Sequence, residues 1–256
     1  MRAGWRLSAK AAALAALTLA AALLGFGAEP AAAQAITIDL GSGATVTARV
    51  VQLFLIVTVL ALAPSILVVM TSFTRLIVVF SLLRSALGTQ QTPPNVVLIS
   101  LALFLTGYIM APTFEQAWEE GIQPMMTEEV DQQAALEAAV QPFRRFMLAH
   151  VREQDLGLFL SLAQNPRPET PEAVPLTALI PAFMLSELKR AFEIAFLIYV
   201  PFIVIDLVIA SILMSMGMMM LPPVLISLPF KLIFFVLVDG WNLVAGSLVR
   251  SFATGG

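Results

Sequence analysis

The feature that most constrains this chain is a nearly unbroken apolar run from residue 50 to residue 87, interrupted by Pro64 and Arg75. Taken as one straight helix it would reach about 57 Å, nearly twice a hydrocarbon core of about 30 Å. Taken as two spans it leaves almost nothing for the turn. The expectation is a long helix kinked at Pro64, or a tight hairpin. Further apolar stretches cover 96–111 and most of 181–249, so the chain has more apolar surface than its own core can hide. Charged residues make up 12% of it and hydrophobic ones 59%, whereas a soluble domain is about 25% charged. The surplus must face lipid or other subunits.

Several function classes fall away on composition. A net charge of −3 with no basic run argues against nucleic acid as a partner. With no Cys and one histidine, His150, the chain has neither a thiolate nor a histidine-based metal site. No Ser-His-Asp arrangement is identifiable, and His150 reads as a surface or interface residue of an acidic amphipathic segment. Gly41-Ser42-Gly43 reads as a turn, because no GK[ST] follows it as a phosphate-cradling loop requires.

Breaks in composition divide the chain. Residues 1–33 read as a secretory signal peptide. Arg2, Arg6 and Lys10 lead into an apolar stretch from Ala11 to Phe26, and Ala31-Ala32-Ala33 offers a cleavage site. A short segment follows over 34–49, then hydrophobic helices over 50–111. Gly88 stops a helix, and Thr92-Pro93-Pro94-Asn95 restarts the chain with Asn95 as the expected N-cap. Residues 112–178 carry eleven acidic and four basic side chains and form an acidic, partly amphipathic helical segment. Asn165-Pro166-Arg167-Pro168 and Pro171 mark a loop. Residues 179–256 are hydrophobic helical hairpins broken at Pro222-Pro223.

A four-span topology over 50–70, 95–111, 191–220 and 224–249 puts Arg75 and Arg84 inside and the acidic segment outside. It leaves Lys189 and Arg190 on the wrong side for the positive-inside tendency. It also leaves Glu193, Asp206, Lys231 and Asp239 in apolar surroundings. Each ionised group costs at least about 2.5–3.5 kcal/mol at mid-bilayer. Such charges must pair, face water, or lie in helices buried by an assembly.

Three groups of residues invite functional readings. Met214, Met216, Met218, Met219 and Met220 crowd beside Gly217. They could seal a pore or simply pack at a helix end, and composition alone favours packing. Glu187 and Lys231 could form a buried ion pair or take part in a proton relay. Asp206 and Asp239 could be the two carboxylates of an intramembrane aspartyl protease, but the GxGD signature is absent.

The stretches SFTRLIVVFSLLRSALGTQQTPPN (72–95), PAFMLSELKRAFEIAFLIYVPFIVIDLVIASILMSMGMMMLPP (181–223) and LPFKLIFFVLVDGWNL (228–243) resemble the FliP family of type III export-gate proteins. The likeness covers roughly residues 48–253, and GTQQTPPN favours its flagellar branch. Val96 and Ala195 stand where the family commonly has Gln and Gly. The resemblance implies an all-α, membrane-associated subunit that is not an enzyme and needs no cofactor. It implies a pentamer-like ring with FliQ-like and FliR-like subunits, working with FlhB-like and FlhA-like proteins and passing unfolded flagellar substrates. Helices raised out of the bilayer into a periplasmic cone would relieve the topological strain. The resemblance also implies a pore gasket at Met218, Met219 and Met220, an intersubunit ion pair between Glu187 and Lys231, and oligomer contacts at Phe146 and Phe159. Arg75, Glu193, Asp206 and Asp239 remain as further buried charges. The rival readings are an ion or proton channel using Asp206, Glu193 and Lys231, and the intramembrane protease.

Overall fold

The computed structural model describes residues 46–89, 91–163, 170, 173–218 and 220–253. The expected signal peptide, most of the 34–49 segment, the loop around Asn165 to Pro168 with Pro171, and Met219 lie outside the described residues. Among these the chain is helical without a strand. It divides into two units, residues 1–56 and 57–256. The first is described only where α1 (Val46–Val69) begins.

The second unit continues with α2 (Phe73–Leu87), α3 (Asn95–Ala117), a π-helical turn (Trp118–Ile122), and the short α4 (Gln123–Met126). Then follow α5 (Gln132–His150), α6 (Glu153–Leu162), α7 (Leu176–Ser215), α8 (Pro223–Leu237) and α9 (Gly240–Ala253). The apolar run of 50–87 is thus two helices, but the break lies at Met70-Thr71-Ser72 and α1 runs through Pro64. At the break the Thr71 hydroxyl donates to the Val68 carbonyl at 2.9 Å and accepts the Phe73 N–H at 3.4 Å. A threonine that bonds its own backbone competes with the helix ladder, which the search for Gly and Pro overlooks.

Helix α2 is the centre of the unit. Leu76, Val79, Phe80, Leu83 and Leu87 recur at helical spacing and are buried. Helix α7 meets them at Ala191, which is buried in one cluster with Leu76, Val79 and Phe80. Ala178, Ala182, Ser186 and Ala195 are further small buried residues along the same helix, and Ser186 accepts the Arg152 N–H and donates to Asp155 at the start of α6. Gly88 ends α2 in the left-handed conformation, with φ +78°. Asn95 is not the N-cap of α3. Pro94 holds that place, its carbonyl accepting from Val97 and Leu98, and the Asn95 side chain instead accepts from Arg84 at 2.6 Å.

Three core clusters result. Phe143, Met147 and Phe183 centre one, Phe80 and Leu248 another, and Leu83, Phe202 and Phe235 the third. Gly121 in the π-helical turn is pressed against α5, where a Cβ would sit 2.5 Å from that of Ala139. The exposed pair Arg145 and Glu120 clamps the same contact at 2.7 Å.

Among the described residues, two helical segments, Asn95–Met126 and Leu176–Ser215, are long and apolar enough to cross a membrane. The pair α8 and α9 makes a third only if counted together, because it bends by 61°. This corrects the expected straight span over 224–249. Val238 and Asp239 close α8, with Asp239 at φ +50°, and α9 starts afresh at Gly240. Gly240 is required there, since a Cβ would fall 2.1 Å from the Phe235 ring. The expected span over 191–220 is the second half of one 40-residue helix, about 60 Å long.

Candidate functional site

Two ion pairs between helices and one methionine loop stand out among the apolar helices. In the first pair, Arg75 of α2 meets Glu187 of α7. Nε donates to one carboxylate oxygen at 2.9 Å and Nη2 to the other at 2.5 Å, with both side chains buried. This is the fork geometry in which a guanidinium best matches a carboxylate. Nη1 donates to the Ser251 hydroxyl at 2.9 Å, and the guanidinium carbon lies 3.7 Å from the centre of the Phe252 ring. Burial pushes the Arg75 guanidinium below its ordinary pKa, Glu187 opposes that shift, and nearby Arg190 adds to it.

Phe252 joins this pair to an aromatic cluster. Its ring stacks on Phe146 at 6.0 Å, and Phe146 also meets Phe183 edge-on at 5.9 Å. Phe146, expected as an oligomer contact, is thus half-buried within its own chain, while Phe159 is half-buried on α6. His150 is not a surface residue. It is buried against Phe146 and Phe252, with one ring nitrogen 2.8 Å from the Phe146 carbonyl and the other 3.3 Å from that of Phe252.

In the second pair, Lys231 of α8 donates to Asp206 of α7 at 2.6 Å and to the Ala86 carbonyl of α2 at 3.2 Å. The Ser227 hydroxyl, one turn before Lys231, donates to the other Asp206 oxygen at 2.5 Å. Within the chain, then, Glu187 and Lys231 each have a different partner and the structure does not bring them together. Glu193 and Asp239, read from sequence as buried charges, are exposed. Glu193 pairs loosely with Lys189 at 3.7 Å along the helix, and Asp239 occupies the outer corner between α8 and α9. Asp206 is committed to Lys231 and Ser227 while Asp239 faces outward, so the geometry offers no shared proton for a protease.

The methionine loop follows from the end of α7. Gly217, at φ +74°, is the left-handed residue of a Schellman motif. The Met218 N–H donates to the Leu213 carbonyl at 3.0 Å and the Gly217 N–H to that of Met214 at 3.1 Å. Pro222 and Pro223 then set the start of α8. Around these stops Met214, Met216 and Met220 are exposed, Met220 to 98%, and Met218 is half-buried.

Sequence reasoning missed Ser227, Ser251 and Phe252. Ser227 had a signal, since it precedes Lys231 by four residues and so shares its helical face. The others reach their partners only through the tertiary fold. No group of three or more metal-ligating side chains occurs among the described residues.

Residues 56–248 match the FliP family. The Flagellar biosynthetic protein FliP of Caulobacter vibrioides is 61% identical over 88% of this chain and 86% of its own length. That of Bacillus subtilis is 53% identical over 79% and 91%, and that of Rhizobium meliloti 51% over 81% and 86%.

Proposed function

The chain belongs to the FliP family, a component of the flagellar export apparatus, and from that membership we propose that it is a pore-forming subunit of the export gate. In this reading sister copies form a ring in the inner membrane and the flagellar basal body, together with FliQ-like and FliR-like subunits. FlhB-like and FlhA-like proteins deliver unfolded flagellar substrates, which pass through the ring. The observation that carries the proposal is the methionine loop. A Schellman stop and a double proline hold large flexible side chains outward between two apolar helices. A ring of thioethers closes without a rigid fit and parts under a moving chain. Met218, Met219 and Met220 are the gasket residues in this reading.

The broad exposed apolar surface on α3, α7 and α8, including Phe104, Leu207 and Val236, supports burial by lipid and neighbouring subunits. The paired charges favour a structural role over ion conduction, because Asp206 and Lys231 already satisfy each other. The test is a photo-crosslinking amino acid in place of Met220, in cells exporting a substrate fused to a fold too stable to pass. Crosslinks between this position and the stalled substrate are expected. Crosslinks only to membrane lipid or to other parts of the gate would refute the pore assignment.

A further inference from the structure

The charged side chains of α2, α7, α8 and α9 form an almost complete set of pairs. Arg75 has Glu187, Lys231 has Asp206, and Lys189 has Glu193. Arg84 donates to the Asn95 side chain and the Pro93 carbonyl, and Arg250 also has a contact within the chain. Among the described residues of these helices and the corner between them, that leaves one cation and one anion, Arg190 and Asp239, whose side chains make no hydrogen bond or ion pair.

Arg190 lines a cleft of about 380 Å³ with Arg75, Arg152, Glu193 and Ser251, and its Nη1 atom is buried without a hydrogen bond. The other charges of the cleft are already taken, by Glu187, Asp155 and Lys189. A buried guanidinium N–H without an acceptor is costly, so a carboxylate from outside the chain would complete the cleft. Asp239 has the opposite need. It is exposed, but the flanking Val236, Leu237 and Leu243 are more than half exposed as well, and apolar surface of that extent marks a face that is covered. Covering it strips the carboxylate of water, which is costly unless a cation meets it. Asp239 is held at this corner with φ +50°, a left-handed conformation that aspartate tolerates better than most side chains.

The two residues do not meet within one chain. Arg190 shares its cleft with Ser251 near the end of α9, whereas Asp239 precedes the first residue of that helix, and about 16 Å of helix separates the two ends. We propose that Asp239 of one copy of this chain enters the Arg190 cleft of the next, where its carboxylate accepts from the unpaired guanidinium nitrogen. The cleft and the corner are different parts of the surface, so the contact is heterologous. Each copy gives one carboxylate and receives one, the kind of contact from which rings are built. The inference rests on the sister copies of the proposed function and is independent of the methionine loop.

The chain has no cysteine, so disulfide trapping tests this on the full chain expressed with its partner subunits. Arg190→Cys and Asp239→Cys in one chain should give, on mild oxidation, a ladder of covalent dimers, trimers and larger species, because each copy links on both sides. Either substitution alone should give nothing above a dimer. A disulfide needs Cα atoms within about 7 Å, so a link within one chain is not expected. In parallel, Asp239→Asn, which keeps the shape of the side chain, and Arg190→Gln should each lower the yield of the oligomer about fivefold. The two together should cost no more than either alone, as for residues that act through one contact. Melting temperatures show whether each variant folds, and the cysteine ladder decides the matter if Arg190→Gln does not. Native gels of the unsubstituted protein separate the two readings. If it does not self-associate, both the ring and this contact are wrong. If it does, but the double-cysteine protein gives no ladder or the two neutral variants add independently, the ring stands and this contact is overturned, which leaves the Arg190 cleft to a different acid.

Discussion

Arg75 and Glu187 stand 112 residues apart in sequence, yet two parallel hydrogen bonds of 2.9 and 2.5 Å join them, with side chains 1% and 0% exposed. The bond fastens α2 to the first half of α7, one turn before Ala191 packs on Leu76 and Val79. Ser251 and Phe252 complete the shell around the guanidinium, so α9 is tied to the same point.

Removing one member of this pair should therefore be severe. Glu187→Gln or Arg75→Met leaves a buried partner group unsatisfied, at a cost of about 3–5 kcal/mol. The double substitution Arg75→Met with Glu187→Leu removes both charges and should recover most of the loss. Thermal unfolding of the purified protein in detergent measures this. Equal melting temperatures for both single variants and the wild type would show that the pair contributes nothing.

The apolar segments and most of their ends were legible in the sequence. Gly88 and Pro222-Pro223 stop or start helices through local backbone geometry, which a short window of residues specifies. The break at Thr71 and the corner at Asp239 were not recognised. One depends on a side-chain bond to the backbone, and the other on a non-glycine residue at positive φ. Charge partners were the least legible part. Lys231 could pair with any acid the fold brought near, and nothing local separates Asp206 from Glu187. The choice is made by the packing of α8 on α7 around Ser227 and Ala86.

That choice can be tested by charge reversal. Lys231→Glu sets two carboxylates against each other at the Asp206 site and should lower the yield of folded protein sharply. Adding Asp206→Lys should restore it if the pair within the chain dominates. Adding Glu187→Lys together with Arg75→Met, which spares the new lysine a buried cation opposite it, should restore it instead if the pair between subunits dominates, and native gels of the assembled complex distinguish the two. Rescue by neither would mean that Lys231 acts through its bond to the Ala86 carbonyl.

The corner between α8 and α9 gives a steric prediction. Gly240→Ala would place a methyl group 2.1 Å from the Phe235 ring, so Phe235 must leave its site in the third core cluster. Overpacking of this kind costs about 1–3 kcal/mol. Phe235→Leu alone should also destabilise, but together with Gly240→Ala it should cost less than the sum, because the smaller side chain makes room. Melting temperatures of the two single variants and the double one test this. Strict additivity would show that the two residues do not meet.

The last prediction separates sealing from packing in the methionine loop. If Met218, Met219 and Met220 were core residues, replacing all three with Ala would cost about 2–5 kcal/mol for each buried side chain, and assembly would fail. Met220 is 98% exposed and Met218 only half-buried, so little of that cost applies within the chain. The turn itself is held by Gly217 and by backbone bonds to Leu213 and Met214, which the substitutions leave intact. The triple variant should therefore fold and assemble at near-normal yield. What it loses is side-chain volume in the proposed channel, so ions or small molecules should leak through the resting gate. Gly217→Val is the matching control, since it keeps all three methionines but strains the left-handed turn by about 1–2 kcal/mol. Complex yield and membrane leak measured in the same cells decide the question. Loss of assembly without leak in the triple variant would return these residues to ordinary packing.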